Sequence, residues 1–545
     1  MPLHRDPKFA LLFSMLTAAA LAGCGGGSDP APQAQTISFA APATQTMGTA
    51  AAALSATASS GLPVSLASKT AAVCTLSGST LVLVSAGTCS VEATQAGNAA
   101  WLAATPVTVS FSVNVAGTIV TAAKMNDLDL NAILLAAKDG DTITMPAGRF
   151  AMLGPLQLSG KKNITMLGAG NGKDPSKDTI LSFKTALTQN GLSASSLDTV
   201  SFKKFAIEDA SGNALFITNS KNIVMDTMRA EWVTDPQQTS TMAYGLYPVK
   251  SDNILVTNSI VVGSRDAGVY VGQSTNIRVT NNDVYYNVAG VEIENSHNAI
   301  VEGNNVHENT GGILVFALPG PTRFLNTSGV VVRNNTIVNN NLPPAANAQG
   351  LVLTIPPGTG VMVLASQNTE VHGNTITKHQ TTGVLITSAI AAQIPFNPAT
   401  KDDQGKVYDP YERGIYVHNN KISDFGATPG GAFADPAGLG QFTQGFFATL
   451  KAFPQPQNFP AVMWDGIVDP ATGSGVQVNG SGGSYAGNLQ VCSKSNDISA
   501  PAGAVISYEN IDLNLLALLA GGNPDFPSPA RMNCVITLPA VTGLP

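Results

Sequence analysis

Four short segments limit how this chain can fold. Gly245-Leu246-Tyr247-Pro248-Val249, Gly268-Val269-Tyr270-Val271-Gly272, Gly290-Val291-Glu292-Ile293-Glu294 and Gly312-Ile313-Leu314-Val315-Phe316 begin 23, 22 and 22 residues apart. The first three carry a serine six residues after the glycine, at Ser251, Ser274 and Ser296. An apolar strand and an asparagine follow, as Val256 and Asn258, Val279 and Asn282, Val301 and Asn305. The pattern returns more loosely at Gly329, Gly360, Gly383 and Gly414, with Asn335, Asn374 and Asn420. A fixed period near 22 means one supersecondary unit stacked on itself. Three short strands per rung fit that length. Asparagine at equivalent turns accepts the left-handed conformation and bonds to the next rung, so these residues are expected to be structural.

Side chains alternate along a strand. Val269, Val271, Val291, Ile293, Ile313 and Val315 are therefore expected inside. The residues between them stack outward in columns about 4.8 Å apart from rung to rung. One column reads Tyr247, Tyr270, Glu292, Leu314; the next reads Gly272, Glu294, Phe316. Lys250, Asp266, Gln273, Asn295 and His297 lie at the edges. Charged residues make up only 12% of the chain, so a cluster of them on one ladder marks a candidate site.

Glu292 and Glu294 are two apart on a strand, with Cβ atoms roughly 7 Å apart. Paired carboxylates repel, so one takes a raised pKa or a cation settles them. Ca²⁺, a hard cation with oxygen ligands, fits Glu292, Glu294 and Asp266. Aromatic faces stack on sugar rings, while carboxylates and amides bind hydroxyls. Tyr247, Gln273, Asn295 and Arg265 are the expected substrate contacts. Glu292, Glu294, Asp266, Lys250, His297 and Tyr270 are the expected catalytic groups. The plainer alternative makes Glu292 and Glu294 the solvated face of a half-buried strand.

Residues 1–23 carry His4, Arg5 and Lys8, then an apolar core from Phe9 to Leu21, the pattern of a secretory signal. Leu21-Ala22-Gly23-Cys24 resembles a bacterial lipobox, which implies acylation of Cys24. Residues 24–35 read as a flexible tether. A lipidated end anchors a body without spanning. Asp29 does not directly follow Cys24, so the outer membrane is the expected anchor. Four cysteines remain, and an even number in an exported chain reads as disulfides. Three connectivities are open; Cys74–Cys89 with Cys492–Cys534 is favoured because each pair sits in one region. The net charge of -7 argues against a nucleic-acid partner.

Residues 36–116 alternate with period two between turn residues, as in a small β-sandwich. Leu128, Leu130, Ile133, Leu134 and Ala137 fall at helical spacing and suggest a helix capping the first rung. Ala317–Ser328, Asn341–Thr359 and Thr387–Tyr411 interrupt rungs. Such insertions wall a groove or cover apolar surface. Asp402-Asp403 reads as a solvated loop. From 425 to 545 the period breaks; this stretch reads as a disulfide-stapled cap, with a short helix over Ile511–Leu519.

Residues 60–65, 72–80 and 86–91 resemble bacterial immunoglobulin-like modules, which usually serve as spacers. Residues 124–424 resemble the right-handed parallel β-helix superfamily, which holds pectate lyases, polygalacturonases, mannuronan epimerases and NosD-type proteins. More narrowly they resemble an exported β-helix family of unsettled function. The matching stretches are 139–143, 163–170, 266–274, 288–296 and 309–316. The resemblance implies an all-β chain, with a right-handed parallel β-helix over 120–424 behind an immunoglobulin-like sandwich over 36–116. It also implies a cell-envelope protein that binds an anionic polysaccharide and processes it by lyase or C5-epimerase chemistry. A cation or Arg265 would neutralise the uronate carboxylate, Lys250 or His297 would take the C5 proton, and Tyr270 would return one. The Asp-Pro-His motif of the epimerases is absent: Gln237 follows Asp235-Pro236, and Tyr411 follows Asp409-Pro410. The alternative function is a non-catalytic scaffold that docks another exported protein. That reading expects Leu314 and Phe316 exposed on a flat face.

Overall fold

A computed structural model describes residues 31–46, 52–85, 87–114, 117–186, 190–320, 323–344, 355–430, 458–467, 469, 491–499, 510–512 and 532–545. The signal segment, Cys24 and most of the proposed helix over 511–519 lie outside these residues. The chain divides into two units, Met1–Asn114 and Val115–Pro545.

In the first unit, strands Gln45–Thr46, Val107–Asn114, Gly87–Thr94 and Ser65–Ser68 form one sheet in that order. Two further strand pairs accompany it, Ile37–Phe39 with Ala56–Ala58 and Cys74–Ser77 with Thr80–Leu83. Leu81, Val91 and Phe111 fill a small core around the Cys74–Cys89 disulfide, whose Cα atoms are 5.7 Å apart.

The second unit is a stack of rungs, each adding one strand to each of three parallel sheets. Sheet A runs from Gly117–Ile119 to Val491–Lys494, sheet B from Gly148–Ala151 to Asp497–Ser499, and sheet C from Leu156–Ser159 to Asn510–Asp512. The register of sheet C follows the alternation: Val269, Val291, Ile313, Val361 and Val384 stack one above another. All are fully buried in the core enclosed by the sheets. The solenoid does not end at 424. Val462–Trp464 pairs with Thr382–Thr387, and Val491–Lys494 pairs with Arg413–His418. Ile511 lies on a strand beside Met463, not in a helix. The Cys492–Cys534 bridge, with Cα atoms 5.1 Å apart, ties the tail to the last described strand of sheet A.

A helix, Asp127–Ala136, packs at the first rung. Asn126 caps it, its side chain accepting from Asp129 N at 2.9 Å. Leu130 and Leu134 are buried, whereas Leu128 points outward. Two residues on an α-helix lie about 200° apart, so Leu128 and Leu130 could not share a face.

The turns separate two jobs that the sequence pattern merged. The left-handed residue is one position earlier than the stacked one. Asn258, Asn281, Asn334 and Asn419 have φ of 51°, 56°, 54° and 52°. The residues after them enter buried ladders. Asn282, Asn304, Asn335, Asn374, Asn420 and Asn496 stack; Asn282 Oδ1 accepts from Ser259 N, and each later Oδ1 accepts from the backbone N–H and Nδ2 of the asparagine before it. Asn258 and Asn305 are therefore not ladder members; both are exposed. The predicted serines form a second ladder, Ser220 to Ser251 to Ser274 to Ser296, with N···Oγ distances of 3.1 Å at each step. Truncating Asn335 strands several buried polar groups, at about 1–3 kcal/mol each. Asn335→Ala is expected to lower the urea midpoint strongly, whereas exposed Asn305→Ala stays within about 0.5 kcal/mol of wild type. Equal shifts would contradict the ladder assignment.

The outer face of sheet B carries a buried ion network. Arg229 lies between Glu208, at 2.7 Å, and Glu231. Its Nε and Nη2 each donate at 2.7 Å to the carbonyls of Asn171 and Gly172. Arg149 and Lys173 reach the same two glutamates from outside. This network fastens the loop around residues 171–173 onto the sheet.

Candidate functional site

The candidate site lies on the outer face of sheet C. Alternation puts Tyr270 opposite Glu292, and Gly272 opposite Glu294, on adjacent rungs. One rung earlier, Tyr247 stands opposite Phe216. Gly272 has a local reason: the ring of Tyr270 folds over it, and any Cβ there would meet the ring edge and hydroxyl. This path leads the Tyr270 hydroxyl to Glu294, to which it donates.

Four rings make a continuous cluster. Centroids are 5.1 Å apart for Phe216–Tyr247, 4.3 Å for Tyr244–Tyr247, 5.0 Å for Tyr244–Tyr270 and 4.9 Å for Tyr247–Tyr270. Phe216, Tyr244 and Tyr247 keep partly exposed faces. They form a shelf at the mouth of the site. Behind it, Tyr270 is 5% exposed and Glu292 4% exposed. Asp266 and Glu294 sit between, partly exposed. The Tyr244 hydroxyl donates to Asp266 Oδ2 at 2.7 Å.

The site ends at a roof. Past Glu292 and Glu294, the outer face of sheet C turns apolar: Leu314, Phe316, Met362, Leu364, Leu385 and Met463 form a second core outside the solenoid. The insertions cover it. Tyr408 donates to the carbonyl of Ala317 at 2.7 Å, and Asp402 accepts from Gln404 N, Lys406 N and Leu325 N. Leu314 is 0% and Phe316 4% exposed, so neither forms the exposed apolar rim expected of them. Asp402 is buried as a turn staple rather than solvated; Asp403 is exposed.

Several expected site residues belong to this roof. Asn295 is buried; its amide donates to Leu318 O at 2.9 Å and accepts from Leu318 N at 2.8 Å. Gln273 Oε1 accepts from Arg323 N at 3.2 Å. His297 faces Asn326 at 3.2 Å and packs on Phe324, 4.4 Å between ring centroids. These three position insertion 317–328 instead of meeting a ligand. Lys250 is exposed at the corner beyond Tyr247. Neither it nor His297 acts on the carboxyl groups; Arg265 is the cation that lowers Asp266. The Lys250 or His297 base is therefore not assembled here. Sequence reasoning missed Tyr244 and Phe216. The Phe216 position was readable from register, one rung before Tyr247.

Burial dominates the electrostatics. It pushes Glu294 up to about 7 and Asp266 up to about 6. It raises Glu292 further, reinforced by the charges of Asp266 and Glu294. The two glutamates act on each other in opposite senses, Glu294 raising Glu292 and Glu292 lowering Glu294, so the pair's proton rests on Glu292. Burial also raises Tyr247 to about 12. Glu292 Oε2 is buried with no hydrogen-bond partner among the described residues. Among those residues no group of three His, Cys, Asp or Glu side chains converges to hold a metal ion. The reading of a solvated strand face fails at Glu292, which is buried, while Glu294 is partly exposed.

A pH dependence follows. The folded state holds these protons more tightly than the unfolded chain, so ν_U − ν_N is negative across the window. The stabilisation is complete below about pH 4 and is lost as pH rises through about 6 and 7. The thermal midpoint is expected to fall between pH 5 and 8. Glu292→Gln with Glu294→Gln makes the slope shallower without abolishing it, because buried Glu412 and Asp465 are shifted the same way. An unchanged slope in the double variant would contradict the proton-sharing pair.

A family model matches this architecture. The right handed beta helix region model covers residues 179–317 and 233–389. The solenoid is a right-handed β-helix. No curated protein matches the chain. Solved structures similar to it include the A-module of an Azotobacter vinelandii mannuronan C-5 epimerase, at 14% identity and TM-score 0.35, covering 70% of this β-helix chain and 95% of that one. A Yersinia enterocolitica family 28 exopolygalacturonase has 8% identity and TM-score 0.37, with 80% and 84% covered. An alginate lyase from Paenibacillus has 10% identity and TM-score 0.32, with 72% and 97% covered. Similarities at this level leave the activity open.

Proposed function

We propose that this chain is an exported, lipid-anchored β-helix protein that binds an anionic polysaccharide across the aromatic shelf of sheet C and processes it by lyase or epimerase chemistry. The observation that carries the reading is the junction of three partly exposed rings, Phe216, Tyr244 and Tyr247, with a partly buried acid cluster raised toward neutral pH. Ring faces stack on pyranose rings. Carboxyl groups near neutrality exchange protons with a substrate. The small β unit is read as an immunoglobulin-like spacer, and the outer membrane as the anchor.

The chemistry proposed is proton abstraction next to a uronate carboxylate. Glu294, at the open edge of the pair, takes the C5 proton. The electron pair moves into the substrate carboxyl, where Arg265 stabilises the developing charge. A proton returned to C5 from the opposite face inverts the centre. Loss of the O4 substituent instead breaks the chain and leaves an unsaturated end. Asp266, held by Tyr244, is the second acid at the site. Glu292 acts through Glu294, holding the shared proton, and is a positioning residue.

Tyr247→Ala removes the middle of the shelf. The variant is expected to bind polyuronate about tenfold more weakly by isothermal titration, the equivalent of about 1.4 kcal/mol, with its thermal midpoint nearly kept because the ring is partly exposed. Unchanged affinity would remove the shelf from the binding site.

A further inference from the structure

A second feature lies at the corner between sheets C and A, three residues along the chain from Tyr247. There a groove of about 650 Å³ is lined by Lys162, Lys221, Lys250 and Arg323, with Asp198, Asp252 and Asp403. Two of its cations are already paired. Lys221 meets Asp198 at 3.1 Å, and Arg323 meets Asp252 at 3.1 Å. The pairs also bind neighbours: Asn222 donates to Asp198, and Thr275 to Asp252. Lys162 and Lys250 are different. Both are exposed, and neither ammonium has an ion-pair or hydrogen-bond partner among the described residues.

Lys250 is also out of place by backbone preference. The corner position it occupies is left-handed, with φ of 51°. Its equivalents on neighbouring rungs are Ser196, Asn219, Gln273 and Asn295, with φ of 54°, 50°, 53° and 44°. Asparagine accepts this region readily, while most other residues pay about 1–2 kcal/mol. Lys250 stands there unpaired, lining the groove three residues along the chain from Tyr247. The lining acid without a partner is the exposed Asp403, on the roof insertion.

We infer that this groove is an anion subsite, in which Lys162 and Lys250 receive the carboxylate or sulfate groups of a polymer whose rings lie on the Phe216–Tyr247 shelf. The inference rests on the proposed function and adds the residues that select charge. It also sets a direction. Lys162, Asp198, Lys221 and Asp252 stack in register on four successive rungs, so past the shelf the polymer follows this corner along the axis toward the earlier rungs, away from the roof.

The test is isothermal titration of the full chain with three probes: sodium polygalacturonate, its fully methyl-esterified neutral form, and dextran sulfate. At low salt the wild type is expected to bind polygalacturonate at least tenfold more tightly than the ester, and the gap narrows as salt rises. Lys162→Gln with Lys250→Asn is expected to lose that preference while keeping the ester affinity within twofold. Both lysines are exposed and Asn suits the left-handed position, so the thermal midpoint should hold. Asp403→Asn should tighten binding of the charged polymer, a sign that loss of structure cannot give. Loss of dextran sulfate binding in the double variant supports a subsite that reads charge; loss of polygalacturonate alone supports one that reads carboxylates. If the double variant keeps the full preference while the wild type binds both pectic forms, the subsite is wrong and the shelf reading stands. If the wild type binds neither, the shelf reading falls and the subsite with it.

Discussion

Replacing Arg229 with methionine is expected to destabilise the β-helix by about 3–5 kcal/mol. Arg229 is 2% exposed. It neutralises Glu208 and Glu231, both buried, and holds two loop carbonyls besides. Methionine fills similar space but leaves two carboxylates facing each other on adjacent rungs without their shared cation. Arg149 and Lys173 are half-exposed and touch one glutamate each, so they compensate only in part. The cost lies in stranding charge, since the network as a whole contributes little against an apolar replacement. The triple variant Arg229→Met, Glu208→Gln, Glu231→Gln should therefore recover most of the loss. The check is the urea midpoint of the wild type and the two variants. A triple variant no more stable than Arg229→Met would show that packing, not charge, is the cause.

Glu294→Gln is expected to abolish processing while raising stability at pH 8. A positioned general base contributes about 10²–10⁴-fold in rate. Glutamine keeps the shape, and the Tyr270 hydroxyl can still donate to its carbonyl, but it cannot take a proton. Turnover should fall by that factor with polymer affinity within a few-fold of wild type. The stability change has the opposite sign. Above about pH 7 the folded protein must hold Glu294 ionised in a partly buried, poorly solvated position, and the neutral amide removes that cost. Enzyme assay and thermal melting at pH 8 read the two effects separately. Loss of activity with equal loss of stability would instead describe a misfolded variant.

Much of this molecule is legible from its amino acids alone. The spacing of Gly245, Gly268, Gly290 and Gly312 announces the stacked rungs, because a solenoid repeats its turn chemistry at fixed intervals. Alternation places Tyr270 beside Glu292, and Gly272 beside Glu294, as the register has them. What stays hidden depends on contacts far apart in sequence. Asn295 and Gln273 look like surface polar residues on a rung; only the return of Leu318 and Arg323 over them makes them clasps. The strands at 462–464 and 491–494 continue the solenoid after long interruptions, so no period announces them. The one-residue offset between left-handed and ladder asparagines is obscured because both are often Asn in the same turn. The ion network escapes notice too, though Glu208 and Glu231 share a register position with Arg229 between them in sequence, in a chain poor in charge.

The most direct test of the central claim is proton NMR of a polyuronate panel incubated with the protein, with and without Ca²⁺. New unsaturated ends or C5 inversion are expected for at least one polymer and are absent with Glu294→Gln. Unchanged spectra across the panel, from protein shown to be folded, would contradict the processing chemistry assigned to the sheet C site.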